Sequence, residues 1–111
     1  MNKEQLEQLS DDQISNRIES LKLAEEYAQV KGITRQGNLF FVDVGGELDI
    51  TVTRGDYCNN PSDMMPLVFE NKIGLEFIDG FGWTADNGDL VASCYDKPLR
   101  AYAIVYLLMQ G

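Results

Sequence analysis

The segment Asp56-Tyr57-Cys58-Asn59-Asn60-Pro61-Ser62-Asp63 is dense in short polar side chains that bond readily to backbone or ligand. Two chemistries fit it. Exposed amides around Asn59 and Asn60, at the positive end of a following helix, suit an anionic group. Alternatively Asn60 or Ser62 caps that helix and the loop serves its own backbone. Asp56 and Asp63 repel an anion, so the capped turn is the expectation. A second candidate anion site is formed by Lys97 and Arg100 at the start of the terminal helix, although in a chain this acidic Arg100 is expected to pair with a carboxylate of its own protein. Tyr57 and Trp83 are candidate stacking platforms, and Phe81, Tyr95, Tyr102 and Tyr106 are further aromatic residues to weigh beside them. Such rings serve as core or interface anchors more often than as ligand platforms. The binding candidates are therefore Tyr57, Asn59, Asn60, Asp63, Trp83, Lys97 and Arg100.

Catalysis is not expected. The chain has no histidine, and so lacks the commonest general base. It contains no GxSxG, P-loop or HExxH pattern, and nothing distinguishes one carboxylate as acid and another as base. Cys58 and Cys94 form no CxxC pair and have no imidazole beside them, which argues against zinc and against an activated thiolate. Asp86-Asn87-Gly88-Asp89 has the composition of a calcium loop without its spacing or its closing glutamate, and reads as a hairpin turn. No metal or other cofactor is expected.

Nine basic against eighteen acidic side chains give 111 residues a formal charge of −9. That charge repels nucleic acid, whose binding depends on Lys and Arg neutralising phosphates. It suits a solubilising shell or the recognition of a basic partner. No stretch has the pattern of a secretory signal or the length of a membrane span, so a cytoplasmic protein with reduced thiols is expected.

These residues need elements to hold them. Ser10-Asp11-Asp12-Gln13 has the form of a capping box, and Ile14, Ile18 and Leu21 give the helix after it one apolar stripe to about Lys22. Residues 1–9 read as a loosely held terminus with at most a frayed turn. Three strands follow, over 27–33, 39–44 and 49–54, with Gly45-Gly46 as a turn. The polar loop then leads into a short helix around Met64–Lys72, in which Pro66 is tolerable only within the first turn. Strands over 73–78, 83–85 and 90–95 come next, the last two joined at Asn87-Gly88. A terminal helix is expected over Lys97 to Met109, with Pro98 in its first turn and Asp96 as its cap. The expected fold is a single α+β domain over 1–111: an antiparallel sheet of about five or six strands, with the second and terminal helices on one face and the N-terminal helix alongside or at an edge.

The polar loop Asp56 to Asp63, followed by Pro66-Leu67, Glu70-Asn71-Lys72-Ile73, Trp83 and Pro98-Leu99-Arg100-Ala101, resembles the NinX-like family of phage proteins. The likeness covers roughly the second half of the chain, and the opening Leu9-Ser10-Asp11-Asp12 also looks like the start of such proteins. It implies a small accessory protein of tailed phages or prophages of enteric bacteria, without catalytic residues to carry over.

Two functions follow as expectations. The first is non-catalytic binding to a host protein, in counter-defence or regulation. The second is sequestration of a nucleotide-like small molecule between Tyr57, Trp83, Lys97 and Arg100. The terminal helix is apolar nearly all round, so Tyr102, Val105, Tyr106 and Met109 are expected either to form a homodimer contact or to lie beneath the N-terminal helix with its Ile14, Ile18 and Leu21.

Overall fold

Two reciprocal capping boxes start the first two helices of this computed structural model, which describes residues 1–27, 29–47 and 49–111. Asn2 Oδ1 accepts from the Gln5 amide at 2.8 Å while Gln5 Oε1 accepts from the Asn2 amide at 3.0 Å, which sets α1 (Lys3–Glu7). Ser10 and Gln13 do the same for α2 (Asp11–Glu26). The first nine residues are thus more than a frayed turn: α1 buries Leu6 in the main core. One apolar residue in a charged segment gave too little periodicity to announce this.

Helix α2 runs a turn beyond Lys22 because Leu23 has a core of its own to enter. Its buried face includes the stripe read from the apolar residues and extends beyond it. Ile14 and Ile18 are buried, Leu21 only in part, and the face is completed by Ser15 and Glu19, both buried. These two polar side chains receive backbone donors from the loop after the first sheet: the Tyr57 amide donates to Ser15 Oγ at 3.1 Å and the Gly55 amide to Glu19 at 2.8 Å. Buried polar groups with partners add to specificity without the cost of an unmade bond.

The described strands form two three-stranded antiparallel sheets rather than one sheet of five or six. The mixed α+β class stands; the single sheet does not. Strands β1 (Gly32–Gln36), β2 (Leu39–Asp43) and β3 (Ile50–Thr53) form the first, in chain order. Its inner face aligns Ile33, Val42 and Ile50 across the strands, with Phe40 and Val52 beside them, and encloses a small core with Leu23. The expected strand over 27–33 includes residue 28, outside the described residues; Tyr27 closes α2 and β1 starts at Gly32. What places β1 later is the two-residue turn Gly37-Asn38, with Gly37 at φ 61°, which pairs Gln36 with Leu39.

The reason for two sheets lies at the end of β3. Arg54 donates to the Asp12 carbonyl, to Asp12 Oδ1 and to Asn16 Oδ1, at 3.2, 3.1 and 2.9 Å. Together with the Gly55–Glu19 bond this pins the chain along α2 and leads it away from the first sheet. After helix α3 (Pro61–Asn71), strands β4 (Gly74–Ile78), β5 (Gly82–Asp86) and β6 (Val91–Cys94) form the second sheet. The outline is correspondingly long, 53 × 25 × 24 Å, with α2 contributing to both cores.

Helix α3 extends past the short element expected, since Pro66 lies in its interior. Pro66 has no amide hydrogen for the Ser62 carbonyl one turn back. The burial of Met64, Leu67 and Val68 outweighs that loss. Pro66 is exposed, so replacing it with alanine restores the bond without touching the core. Pro66→Ala is expected to stabilise the fold by about 1–3 kcal/mol, read as a higher urea midpoint at unchanged slope.

The terminal helix α4 (Pro98–Met109) is the element the others share. It lies on β5 and β6 and is flanked by α1, α2 and α3. All seven residues from Ala101 to Leu107 are buried as a result. Lys97 is its N-cap, without a side-chain cap bond, so Asp96 does not take the expected role. Among the described residues no helix is long and apolar enough to cross a membrane.

Candidate functional site

The residues read from the sequence as binding candidates are not brought together. Tyr57 is buried, its hydroxyl donating to Glu19 at 3.0 Å and accepting from Lys22 Nζ at 3.1 Å. Burial and then the neighbouring Glu19 charge hold this phenol protonated well above its ordinary range. It is a core strut and offers no stacking face. Asn60 is the N-cap of α3, accepting from the Ser62 amide at 3.0 Å. Asp63 accepts from the Asp56 amide at 2.8 Å, and Asn59 donates to Asp56 Oδ1 at 3.0 Å. The polar loop is a capped turn whose side chains serve the loop itself, as its composition leads one to expect.

Lys97 and Arg100 meet the carboxylate of Asp11. Lys97 Nζ bonds Asp11 Oδ2, and Arg100 reaches Asp11 Oδ1 at 2.7 Å. The other guanidinium nitrogen donates to the carbonyls of Glu7 and Leu9, at 3.1 and 2.6 Å, closing the end of α1. This removes both cations from the expected anion site. It also shapes the acid response. Burial pushes the Asp11 carboxyl upward, but the bonds and charges of Lys97 and Arg100 outweigh it and hold the pKa below the ordinary 3.8. A carboxylate with a lowered folded pKa contributes stability that is complete above the unfolded value and lost as pH falls through the folded one. Asp11→Asn is therefore expected to destabilise the protein at about pH 7 by an amount that shrinks as pH falls below the ordinary carboxylate value, checked by denaturant titration across that range. Beside this cluster, burial, followed by the Asp11 charge, pushes the Cys58 thiol to about 12, so it is not a reactive thiolate.

Tyr102, Val105 and Tyr106, expected at a dimer contact, are buried within the chain, and Met109 packs part-buried against the same core. Helix α2 covers this side with Ile14 and Ile18, the alternative that the apolar helix left open. The free surface that motivated a dimer is absent.

Trp83 alone of the candidates lies in a surface cluster, with partners the sequence left inside strands. Phe77 of β4 is opposite Trp83 of β5 in the cross-strand register. Their rings meet edge to face, centroids 5.3 Å apart, and Phe77 meets Tyr95 in the same way at 6.2 Å. Phe81 occupies the β4–β5 turn at the same end of the sheet. Phe77, Phe81 and Tyr95 are 48, 67 and 68% exposed. The cluster depends on Gly82, at φ 85°, over which the Tyr95 backbone packs too closely to admit a Cβ. From Ile73 to Asp96 the chain carries Glu76, Asp79, Asp86, Asp89 and Asp96 and no Lys or Arg. The sequence held a signal for this surface: a 24-residue stretch of one charge sign with aromatic residues at its turns.

Two surface cavities lie elsewhere, one of about 560 Å³ beside α1 and α2 and one of about 350 Å³ where α2, α3 and α4 end. Neither is lined by Tyr57, Trp83, Lys97 or Arg100. Among the described residues no three Cys, Asp or Glu side chains converge on a position for a metal ion. No family model, curated protein or solved structure matches the chain.

Proposed function

We propose that this chain is a non-catalytic binding protein of phage or prophage type that engages a basic host protein through the aromatic end of its second sheet. The observation that supports this reading is the exposed Phe77–Trp83–Tyr95 cluster, set in a segment with five carboxylates and no cation. Exposed aromatics of this kind act as interface anchors, because they bury much apolar area at low rotamer cost. Arginine is the side chain that answers both features, since its guanidinium stacks on aromatic rings and forks onto carboxylates. The overall charge of −9 adds long-range attraction for the same partner and repulsion of polyanions. The nucleotide-sequestering alternative loses support, as Tyr57 is buried and Lys97 and Arg100 are held by Asp11.

The test is a comparison of captured proteins. Wild-type protein and a Phe81→Ser/Tyr95→Ser variant are immobilised and exposed to lysate of an enteric host at low and at moderate salt. A basic protein retained by the wild type, lost from the variant and weakened by salt supports the reading. Equal retention by both sinks it.

A further inference from the structure

We infer that the cavity of about 560 Å³ bordered by α1, α2, β1 and the end of α4 is a binding site for a small aliphatic carboxylate, separate from the aromatic face. The chain has eighteen acidic side chains, yet none of them lines this cavity, whose charged side chains are Arg17 of α2 and Arg35 of β1. Of the four arginines in the sequence, the other two are held inside the protein, Arg54 by Asp12 and Arg100 by Asp11. Arg17 and Arg35 have no ion pair among the described residues, and both come to this one cavity from different elements. Arg35 Nη1 donates to the Gly37 carbonyl at 2.9 Å, which leaves the rest of its guanidinium for a ligand. A guanidinium of this kind forks onto a carboxylate with two parallel bonds.

The uncharged polar side chains of the lining add donors. Gln13 Oε1 accepts from the Ser10 amide at 2.8 Å in the α2 capping box, and Asn16 Oδ1 accepts from Arg54 at 2.9 Å. Both oxygens are engaged, so what each carboxamide has left for a ligand is its NH₂ group. Gln110 is the exception, since its Nε2 donates to the Tyr106 carbonyl at 3.3 Å and leaves its oxygen. Leu6 and Leu107, both buried, and the half-buried Leu9 and Leu21 supply apolar surface to the same cavity. Leu21 belongs to the apolar stripe of α2, and the surface that the fold leaves bare on it lies here. Donors beside aliphatic side chains call for an anion that carries a hydrocarbon tail. The volume lies within the range of about 300–1,000 Å³ usual for small-molecule sites. The net charge of −9 opposes a head group of several charges, which favours a single carboxylate over a polyphosphate.

Calorimetric titration of the full chain with octanoate tests this, beside octanol, which has the tail without the charge, and acetate, which has the charge without the tail. Saturable binding of octanoate, with octanol at least about tenfold weaker and acetate silent at about 5 mM, is the expected result. Affinity is expected to rise at least about twofold with each methylene from butanoate to octanoate, which a bare surface ion pair would not show. Arg17→Gln/Arg35→Gln is expected to weaken octanoate binding at least about tenfold, with an unchanged melting temperature in the absence of ligand because both side chains are exposed. Phe81→Ser/Tyr95→Ser is expected to bind octanoate as the wild type does, which separates this site from the aromatic face. No octanoate binding up to about 5 mM, or equal binding of octanol, or equal binding by the Arg17→Gln/Arg35→Gln variant, would overturn the proposal. Tighter binding of N-acetyl-leucyl-leucine than of octanoate would also overturn it, by giving the cavity to the carboxyl end of a peptide.

Discussion

Replacing Val105 with aspartate is expected to unfold the protein outright rather than to separate subunits. Val105 has no exposed surface, and its helix is enclosed by β5, β6, α1, α2 and α3 of the same chain. A carboxylate there has neither water nor a cation, and an uncompensated buried charge costs several kcal/mol. A domain of this size has only about 5–15 kcal/mol of stability in total, so the loss is comparable to the whole. Far-UV circular dichroism of Val105→Asp is expected to show an unfolded chain at room temperature. Tyr95→Asp, placed on the 68%-exposed ring, is the control and is expected to keep the wild-type spectrum. A folded Val105→Asp protein whose only change is a lower mass by light scattering would return α4 to the role of an interface.

Gly82→Ala is the second substitution with a large expected effect, and it acts on the binding face itself. Gly82 has φ 85°, where an L-residue costs roughly 1–2 kcal/mol. The added Cβ would also overlap the Tyr95 Cα and come within 2.9 Å of its carbonyl oxygen. Those are backbone atoms, so no rotamer change relieves the overlap and β6 must move away from β5. A loss of about 3 kcal/mol or more is expected, with Tyr95 displaced from Phe77. The chain's one tryptophan is Trp83, so its emission reads the change directly. Unaltered stability together with unaltered Trp83 emission would show that the close packing of Tyr95 on Gly82 is not what builds the cluster.

How much of this was legible in the sequence depended on whether the signal was local. The Ser10/Gln13 capping box, the α3 cap at Asn60, one of the two residues offered for it, and the terminal helix, which starts one residue later than expected, follow from short-range chemistry. The Gly37-Asn38 turn was equally local, but the lack of apolar alternation in Gly32–Gln36 concealed the strand before it. The division into two sheets was not legible, because it is set by Arg54 reaching Asp12 and Asn16 some forty residues away. Ser15 and Glu19 were hidden for the same reason: each looks like a solvent residue until the loop around Tyr57 supplies its partner. Lys97 and Arg100 had visible chemistry and an invisible partner in Asp11. Trp83 was legible as an aromatic at a turn, whereas Phe77 required the cross-strand register.

Trp83 makes the central claim directly measurable, since the only tryptophan sits within the proposed binding face. The decisive experiment titrates the protein with an arginine-rich peptide and follows Trp83 emission, with a lysine peptide of equal charge and a glutamate peptide in parallel. The account predicts a saturable change with the arginine peptide, tighter than with the lysine peptide because only guanidinium stacks well on the rings. That response is expected to weaken with added salt and to vanish in Phe81→Ser/Tyr95→Ser. No change in emission up to about 1 mM arginine peptide, or the same response to the glutamate peptide, would contradict the assignment of this face to a basic partner.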